Sequence, residues 1–247
     1  MYLSHAQTQA YLDALIDTLA ETPHLSSKVD VFLLVDHVSL AAVVSRWKAS
    51  PHNGSLRLRI GAQDASPEDR GAFTGQVSAA VLAEVGCEMV MVGHAERRRM
   101  FGEDDGLVAR KAAAVARNGM VPLVCVGEAA RSEAGGAEAA IAECSAQVEA
   151  VMRGVPEEGE VVLAYEPVWA IGAAEPAAAE YVVAVAQGIR EMECVRLRRG
   201  AVRVVYGGSA GPGMFEGVKD GVDGLFMARF GLDVGVFGRV AGEVASA

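Results

Sequence analysis

Two side chains in this sequence are of the right kinds to move a proton between carbon and oxygen. The apolar run Met89-Val90-Met91-Val92 leads into Gly93-His94-Ala95 and then the charged stretch Glu96-Arg97-Arg98-Arg99. A second apolar run, Val161–Tyr165, leads into Glu166-Pro167. A carboxylate can remove a proton from carbon, and an imidazole can donate to the neighbouring oxygen as charge develops there. The residues after His94 read as a helix start, whose free amides and positive dipole end disfavour imidazolium and leave a neutral donor. Taken singly, each group has an ordinary alternative. A histidine at a strand end is more often structural, which is the reading for His5, His24, His37 and His52. Glu166 alone reads equally as a capping or salt-bridging carboxylate. Gly207-Gly208-Ser209 reads as a tight turn, although successive amides in such a turn also form an anion nest. Arg97 to Arg99 read first as a solvated face. The five histidines have neither the spacing nor the acidic neighbours of a metal site.

The elements that must position these groups alternate along the chain. Short β-branched runs at Val29–Val35, Leu56–Ala62, Met89–Val92, Val121–Val126, Val161–Tyr165, Val202–Tyr206 and Gly224–Met227 are the strands. Several are apolar throughout, as parallel strands buried on both faces are. Longer segments between them, such as Ser4–Ala20, Ala129–Arg153 and Pro176–Arg199, read as helices, and Ser4-His5-Ala6-Gln7 fits a capping box. Nothing resembles a linker, so residues 1–247 are expected to form a single domain. Strand–helix alternation builds either an open doubly wound sheet or a closed (β/α)8 barrel. An open dinucleotide-binding sheet wants a glycine-rich turn after its first strand, but Asp36-His37-Val38-Ser39 follows instead. The α/β barrel is preferred, one strand short at the N-terminus.

Composition narrows the partners. A formal net charge of −10 argues against nucleic acid, whose phosphates need a basic face. No run approaches the roughly 18 apolar residues of a membrane span, and the N-terminus lacks the basic-then-apolar pattern of a signal peptide. The cysteines Cys87, Cys125, Cys144 and Cys194 are scattered, as reduced thiols in a cytoplasmic protein are. Composition and spacing alone stop at a sugar-phosphate enzyme of the barrel class.

The motifs go further. Gly71-Ala72-Phe73-Thr74-Gly75-Gln76, Gly93-His94-Ala95-Glu96-Arg97-Arg98, Cys125-Val126-Gly127-Glu128, Ala164-Tyr165-Glu166-Pro167-Val168-Trp169-Ala170-Ile171-Gly172 and Tyr206-Gly207-Gly208-Ser209 closely resemble the signatures of the triosephosphate isomerase family. They stand in family order. The resemblance implies that Glu166 shuttles a proton between adjacent carbons of a ketose and an aldose phosphate. It implies that His94 polarises the carbonyl, and that Glu96 is a supporting carboxylate with Arg97 beside it in an ion-pair network. It also implies that Pro167–Ala174 is a closing lid hinged at Trp169, and that the Gly172 and Ser209 amides hold a substrate phosphate. The Gly71–Gln76 loop would plug a partner subunit, giving a homodimer. Neither cofactor nor metal is implied.

Three departures qualify the resemblance. The family's lid ends Gly-Thr-Gly-Lys where this chain has Gly172-Ala173-Ala174-Glu175, and the glycine pair after the last strand is replaced by Ala228-Arg229. Side chains there alter how closely backbone approaches a phosphate, and Arg229 offers a charged fork instead. Both changes resemble a side branch of the family, some of whose members act on four-carbon ketose phosphates. Third, the family's first strand ends Asn-x-Lys-Met, and Met1 aligns with that methionine. The expectation is that a strand and its phosphate-contacting lysine precede Met1. Without them, unpaired sheet edges and weak turnover are expected. The alternatives are the same chemistry on a longer substrate, or a catalytically dead barrel with a binding role.

Overall fold

The computed structural model describes residues 2–132, 136–173 and 176–247, without the side chains of Pro23 and Ser26. Seven parallel strands form one sheet in chain order: β1 (Val31–Val35), β2 (Leu58–Ala62), β3 (Met89–Val92), β4 (Val121–Val126), β5 (Val161–Tyr165), β6 (Val202–Tyr206) and β7 (Gly224–Leu225). Helices α1 (His5–Ala20) and α2 (Pro23–Lys28) precede β1, and α3 (His37–Ala49) follows it. Then come α4 (Ala79–Val85), α5 (Ala95–Phe101), α6 (Asp105–Arg117), α7 (Gly136–Gly154) and α8 (Ala179–Glu191). Short helices α9 (Glu193–Arg196) and α10 (Phe215–Val218) flank β6, and α11 (Val234–Ser246) closes the chain. This is the architecture of a (β/α)8 barrel with seven strands among the described residues.

Helix starts follow from side-chain caps that satisfy free backbone amides. The Ser4–Gln7 capping box is present at α1, and Asp36, Ser78 and Asp104 cap α3, α4 and α6. Leu12, Leu15, Ile16 and Leu19 give α1 a buried stripe at helical spacing. The five residues of β5 are all buried because helices cover one face and the barrel interior the other. Two apolar layers result. One lies between sheet and helices; the other fills the barrel with Met89, Leu123, Cys125, Val162, Ala164 and Val205.

The ring of helices closes but the ring of strands does not. Helix α1 packs on both α3 and α11. The Tyr11 hydroxyl donates to the carbonyl of Gly231, and Lys28 Nζ donates to the carbonyl of Ala245 at 2.9 Å. Inside that belt, among the described residues, β1 pairs only with β2 and β7 only with β6, leaving two unpaired edges. The Phe32 and Phe226 rings meet between those two strands with centroids 5.9 Å apart. Behind them a cavity of about 1850 Å³ runs from Arg59, Glu160 and Arg203 at the strand starts to His94 and Glu166 at the strand ends.

Several expected boundaries shift. Val29 caps α2 and Leu56 bridges back to Asn53, so β1 and β2 start at Val31 and Leu58. Strand β7 stops at Leu225 because its ladder with β6 spans only two pairs. The helix expected from Ala129 begins at Gly136. Residues 129–132 are not helical, and the amide of Ala129 donates instead to Glu143 Oε1 at 3.0 Å. Glu133, Ala134 and Gly135 lie outside the described residues. The helix expected over Pro176–Arg199 starts at Ala179 and breaks at Met192.

Unpaired edges beside an open cavity cost stability. A β-branched parallel strand fused ahead of Met1 is expected to raise Tm by on the order of 10 °C and to reduce binding of a hydrophobic dye. Calorimetry and dye fluorescence on both forms check this, and an unchanged Tm would show that the edges carry no penalty.

Candidate active site

Strand β3 ends at Val92, Gly93 turns the chain at φ +72°, and His94 becomes the N-cap of α5. The His94 Nδ1 accepts the backbone N–H of Glu96 at 3.2 Å. An acceptor nitrogen carries no proton, so in the neutral ring the proton sits on Nε2. Burial lowers the His94 pKa, opposed by the nearby charge of Glu96. His94 is therefore a neutral donor, and its Nε2 lies 3.9 Å from Oε2 of Glu166.

Glu166 follows β5 directly, fixed by its N–H donating to the carbonyl of Val126 at 2.8 Å. It is 5% exposed and its Oε2 has no hydrogen-bond partner. Burial raises its pKa to about 7, a hydrogen bond with Cys125 holds it down, and Glu96 pushes it further up. Space for the carboxylate is made by Gly207, where an added Cβ would fall 2.6 Å from Glu166 Oε1. An unsatisfied carboxylate oxygen beside a neutral N–H donor has the geometry that acid/base chemistry on a bridging molecule requires.

The remaining expected residues divide. Glu96 is exposed and places Oε2 3.8 Å from His94 Nδ1, which is already occupied by the Glu96 amide. Its influence on the imidazole is thus electrostatic. Arg97 is not its ion-pair partner. Successive helical residues point about 100° apart, and Arg97 turns inward to Asp64 Oδ2 and Glu103 Oε1, each at 2.8 Å. Lys111, 2% exposed, joins the same two carboxylates at 2.7 and 2.6 Å. Gly172 and Ser209 are brought together: the Gly172 amide donates to Ser209 Oγ at 3.2 Å, and that hydroxyl donates to the carbonyl of Ala170 at 2.8 Å. The Ser209 amide turns back to the carbonyl of Gly207 at 3.0 Å, in a left-handed conformation with φ +63°. The segment after Glu166 is thereby latched over the pocket. Of the expected lid, Ala174 lies outside the described residues, as does Glu175 beyond it. Arg229 is exposed, lines the same cavity, and brings Nη2 within 3.7 Å of where a Cβ on Gly172 would be.

Sequence reasoning missed three participants. Cys125 reads as a core thiol, yet it touches the Glu166 carboxylate. Lys111 stands beside Arg110 at the start of the apolar run Ala112–Val115 of α6 and reads like any helix cation. Glu128 is 1% exposed and accepts from Trp169 Nε1 at 2.7 Å and from the hydroxyls of Tyr181 at 2.8 Å and Tyr165 at 3.2 Å.

The triosephosphate isomerase family model matches residues 1–244. The chain belongs to the triosephosphate isomerase family. An L-erythrulose-1-phosphate isomerase of Pectobacterium atrosepticum is 42% identical over 98% of this chain and 92% of its own length. A triosephosphate isomerase of Cutibacterium acnes is 36% identical over 97% of this chain and 93% of its own. One from Azoarcus sp. is 48% identical over 64% of this chain and 65% of its own.

Holding Glu166 in a dry site has a consequence for stability. Its folded pKa, about 7, exceeds its unfolded value of 4.5, so the native state binds the proton more tightly. The stability this group contributes is present below pH 4.5 and is lost as pH rises through about 7. Glu166→Gln is therefore expected to be more stable than the parent at pH 8, by about 3 kcal/mol. The advantage should vanish near pH 4.5. Denaturant titrations of both proteins at the two pH values check this; equal stabilities at pH 8 would mean that the carboxylate is not desolvated.

Proposed function

We propose that this chain interconverts a ketose phosphate and an aldose phosphate through an enediolate, with glyceraldehyde 3-phosphate and dihydroxyacetone phosphate as the first pair to test. The observation that carries the reading is the neutral His94 donor 3.9 Å from the unpartnered oxygen of buried Glu166. In the reaction, a C–H bond α to the substrate carbonyl breaks and its proton passes to Glu166. The electron pair moves onto the carbonyl oxygen, which accepts a hydrogen bond from His94 Nε2–H. The proton of the neighbouring hydroxyl passes to that oxygen by way of His94, Glu166 returns the carbon-derived proton to the adjacent carbon, and the step needs no external reductant or oxidant. Neutral imidazole suits this work, because a donor whose pKa is closer to that of the enediol shares its proton more evenly than imidazolium does. The segment latched by Ser209 keeps out water, in which an enediolate phosphate would eliminate phosphate.

For the phosphate, this reading uses the guanidinium of Arg229 together with the Gly172 and Ser209 amides, which must leave Ser209 Oγ and the Gly207 carbonyl to reach it. Lys28 and Lys48 are engaged elsewhere, with the carbonyls of Ala245 and Val85. The presence of Ala228-Arg229, with the name carried by the Pectobacterium relative, favours a second reading in which the substrate is a four-carbon ketose phosphate. Under either reading the protein works in the cytoplasm as a homodimer. Support for the dimer comes from apolar side chains left in solvent on the Gly71–Gln76 loop and on nearby helices: Phe73, Val81, Met100 and Phe101.

Two measurements test this. Glu166→Asp draws the carboxylate back by about one methylene and is expected to lower kcat roughly a hundredfold while the fold is kept. Unchanged turnover on triose and tetrulose phosphates alike would remove Glu166 from the mechanism. Arg229→Ala should raise KM by about tenfold or more and weaken binding of inorganic phosphate, as loss of a charge-assisted hydrogen bond does. A fall in Tm with both constants unchanged would make Arg229 structural.

A further inference from the structure

Glu128 is the most buried carboxylate at the strand ends, and among the described residues no cation pairs with it. Neutral donors hold it instead. Trp169 Nε1 lies 2.7 Å from Oε1, the Tyr181 hydroxyl 2.8 Å from the same oxygen, and the Tyr165 hydroxyl 3.2 Å from Oε2. Tyr165 belongs to β5 and is immobile. The other two donors stand on opposite sides of the segment that covers the site. Trp169 sits in the helical turn Val168–Ala170 at its beginning, and Tyr181 is in the first turn of α8 at its end. One carboxylate thus grips both flanks of the cover. The indole and phenol rings also touch edge to face, with centroids 5.8 Å apart at 67°, and Arg131 stacks over the indole at 5.5 Å. Backbone reinforces the grip, since the amide of Val168 donates to the Glu128 carbonyl at 3.0 Å.

We propose that Tyr181 is a positioning residue for the covering segment: through Glu128 and the face of Trp169 it fixes the hinge on which that segment closes. The inference rests on the isomerase reading for what the cover protects, but the hinge itself is a property of the free protein. Two sharp donors on one oxygen restrict the indole to a single orientation, and the latch at Ser209 is then reached by a segment with one end set. With Tyr181 reduced to phenylalanine, the ring contact with Trp169 is kept and only the hydroxyl is lost. Oε1 would retain the indole N–H, and the C-terminal flank would be free of the carboxylate. Burial and Glu128 both push the Tyr181 phenol pKa up, so the hydroxyl remains a donor throughout the ordinary pH range.

The test uses a Trp47→Phe parent, in which Trp169 is the sole indole. Tyr181→Phe in that parent is expected to broaden and shift Trp169 emission and lower its anisotropy without substrate. With substrate, it is expected to raise the ratio of inorganic phosphate released to product isomerised by about tenfold, the scale of one charge-assisted hydrogen bond. Glu128→Gln should move both readouts the same way, and Tyr181→Phe should then add nothing further. Unchanged emission and an unchanged ratio would overturn the proposal, as would a lower Tm with the ratio unchanged. If the parent turns over no triose or tetrulose phosphate while Tyr181→Phe still alters Trp169 emission, the hinge stands and the isomerase reading falls.

Discussion

Burial of the Glu166 carboxylate is the constraint that the rest of the structure meets, and under the proposed function it keeps water from satisfying the base before a carbon-bound proton does. Desolvation opposes the charged form, so the side chain is held in place by covalent position and packing more than by hydrogen bonds. Strand β5 supplies the anchor, buried along all five residues. The absence of a Cβ at Gly207 supplies the room, and the thiol of Cys125 supplies a weak donor that tempers the penalty without quenching basicity. His94 faces the base as a neutral group for a related reason. The amide of Glu96 occupies Nδ1, so the ring presents a proton at Nε2 without carrying a charge that would pair with Glu166 and neutralise it.

Much of this was legible in the sequence, and the illegible parts share a cause. Strands β3, β4, β5 and β6 begin and end where their apolar runs do, because each is paired on both sides and covered on both faces. Elsewhere the match weakens: β1 and β2 start late because Val29 and Leu56 are taken up by the preceding turns, and β7 stops where its ladder with β6 ends. The helices were placed correctly but not their first turns. Ala129 satisfies its amide through the distant side chain of Glu143, an alternative that local propensity does not encode.

The site shows the same division. His94 and Glu166 were visible as types at strand ends, and the structure brings them together across β3, β4 and β5. Arg97 was assigned to the wrong carboxylate, because which way a helical side chain turns depends on what lies beneath the helix. The buried quartet joins Asp64, after β2, to Arg97, Glu103 and Lys111 from α5, the loop after it and α6. No spacing rule connects them, and Lys111, next to Arg110, gives no sign in the sequence that its charge goes inside. The lid latch was equally hidden, since it depends on Ser209 taking up a left-handed conformation rare for a residue with a Cβ.

The unmatched edges of β1 and β7 also bear on solvent traffic. One continuous void connects the reacting pair with Arg59, Glu160 and Arg203 at the opposite end of the barrel, and it passes the two unpaired edges on the way. A cover over the strand ends guards one mouth of such a void, and the Phe32 and Phe226 rings meet where the void passes between β1 and β7. The surroundings of Glu166 are then set jointly by the cover and by how closely the Phe32 and Phe226 rings meet. Two aromatic side chains far from any proton transfer thereby become part of the insulation on which the base depends.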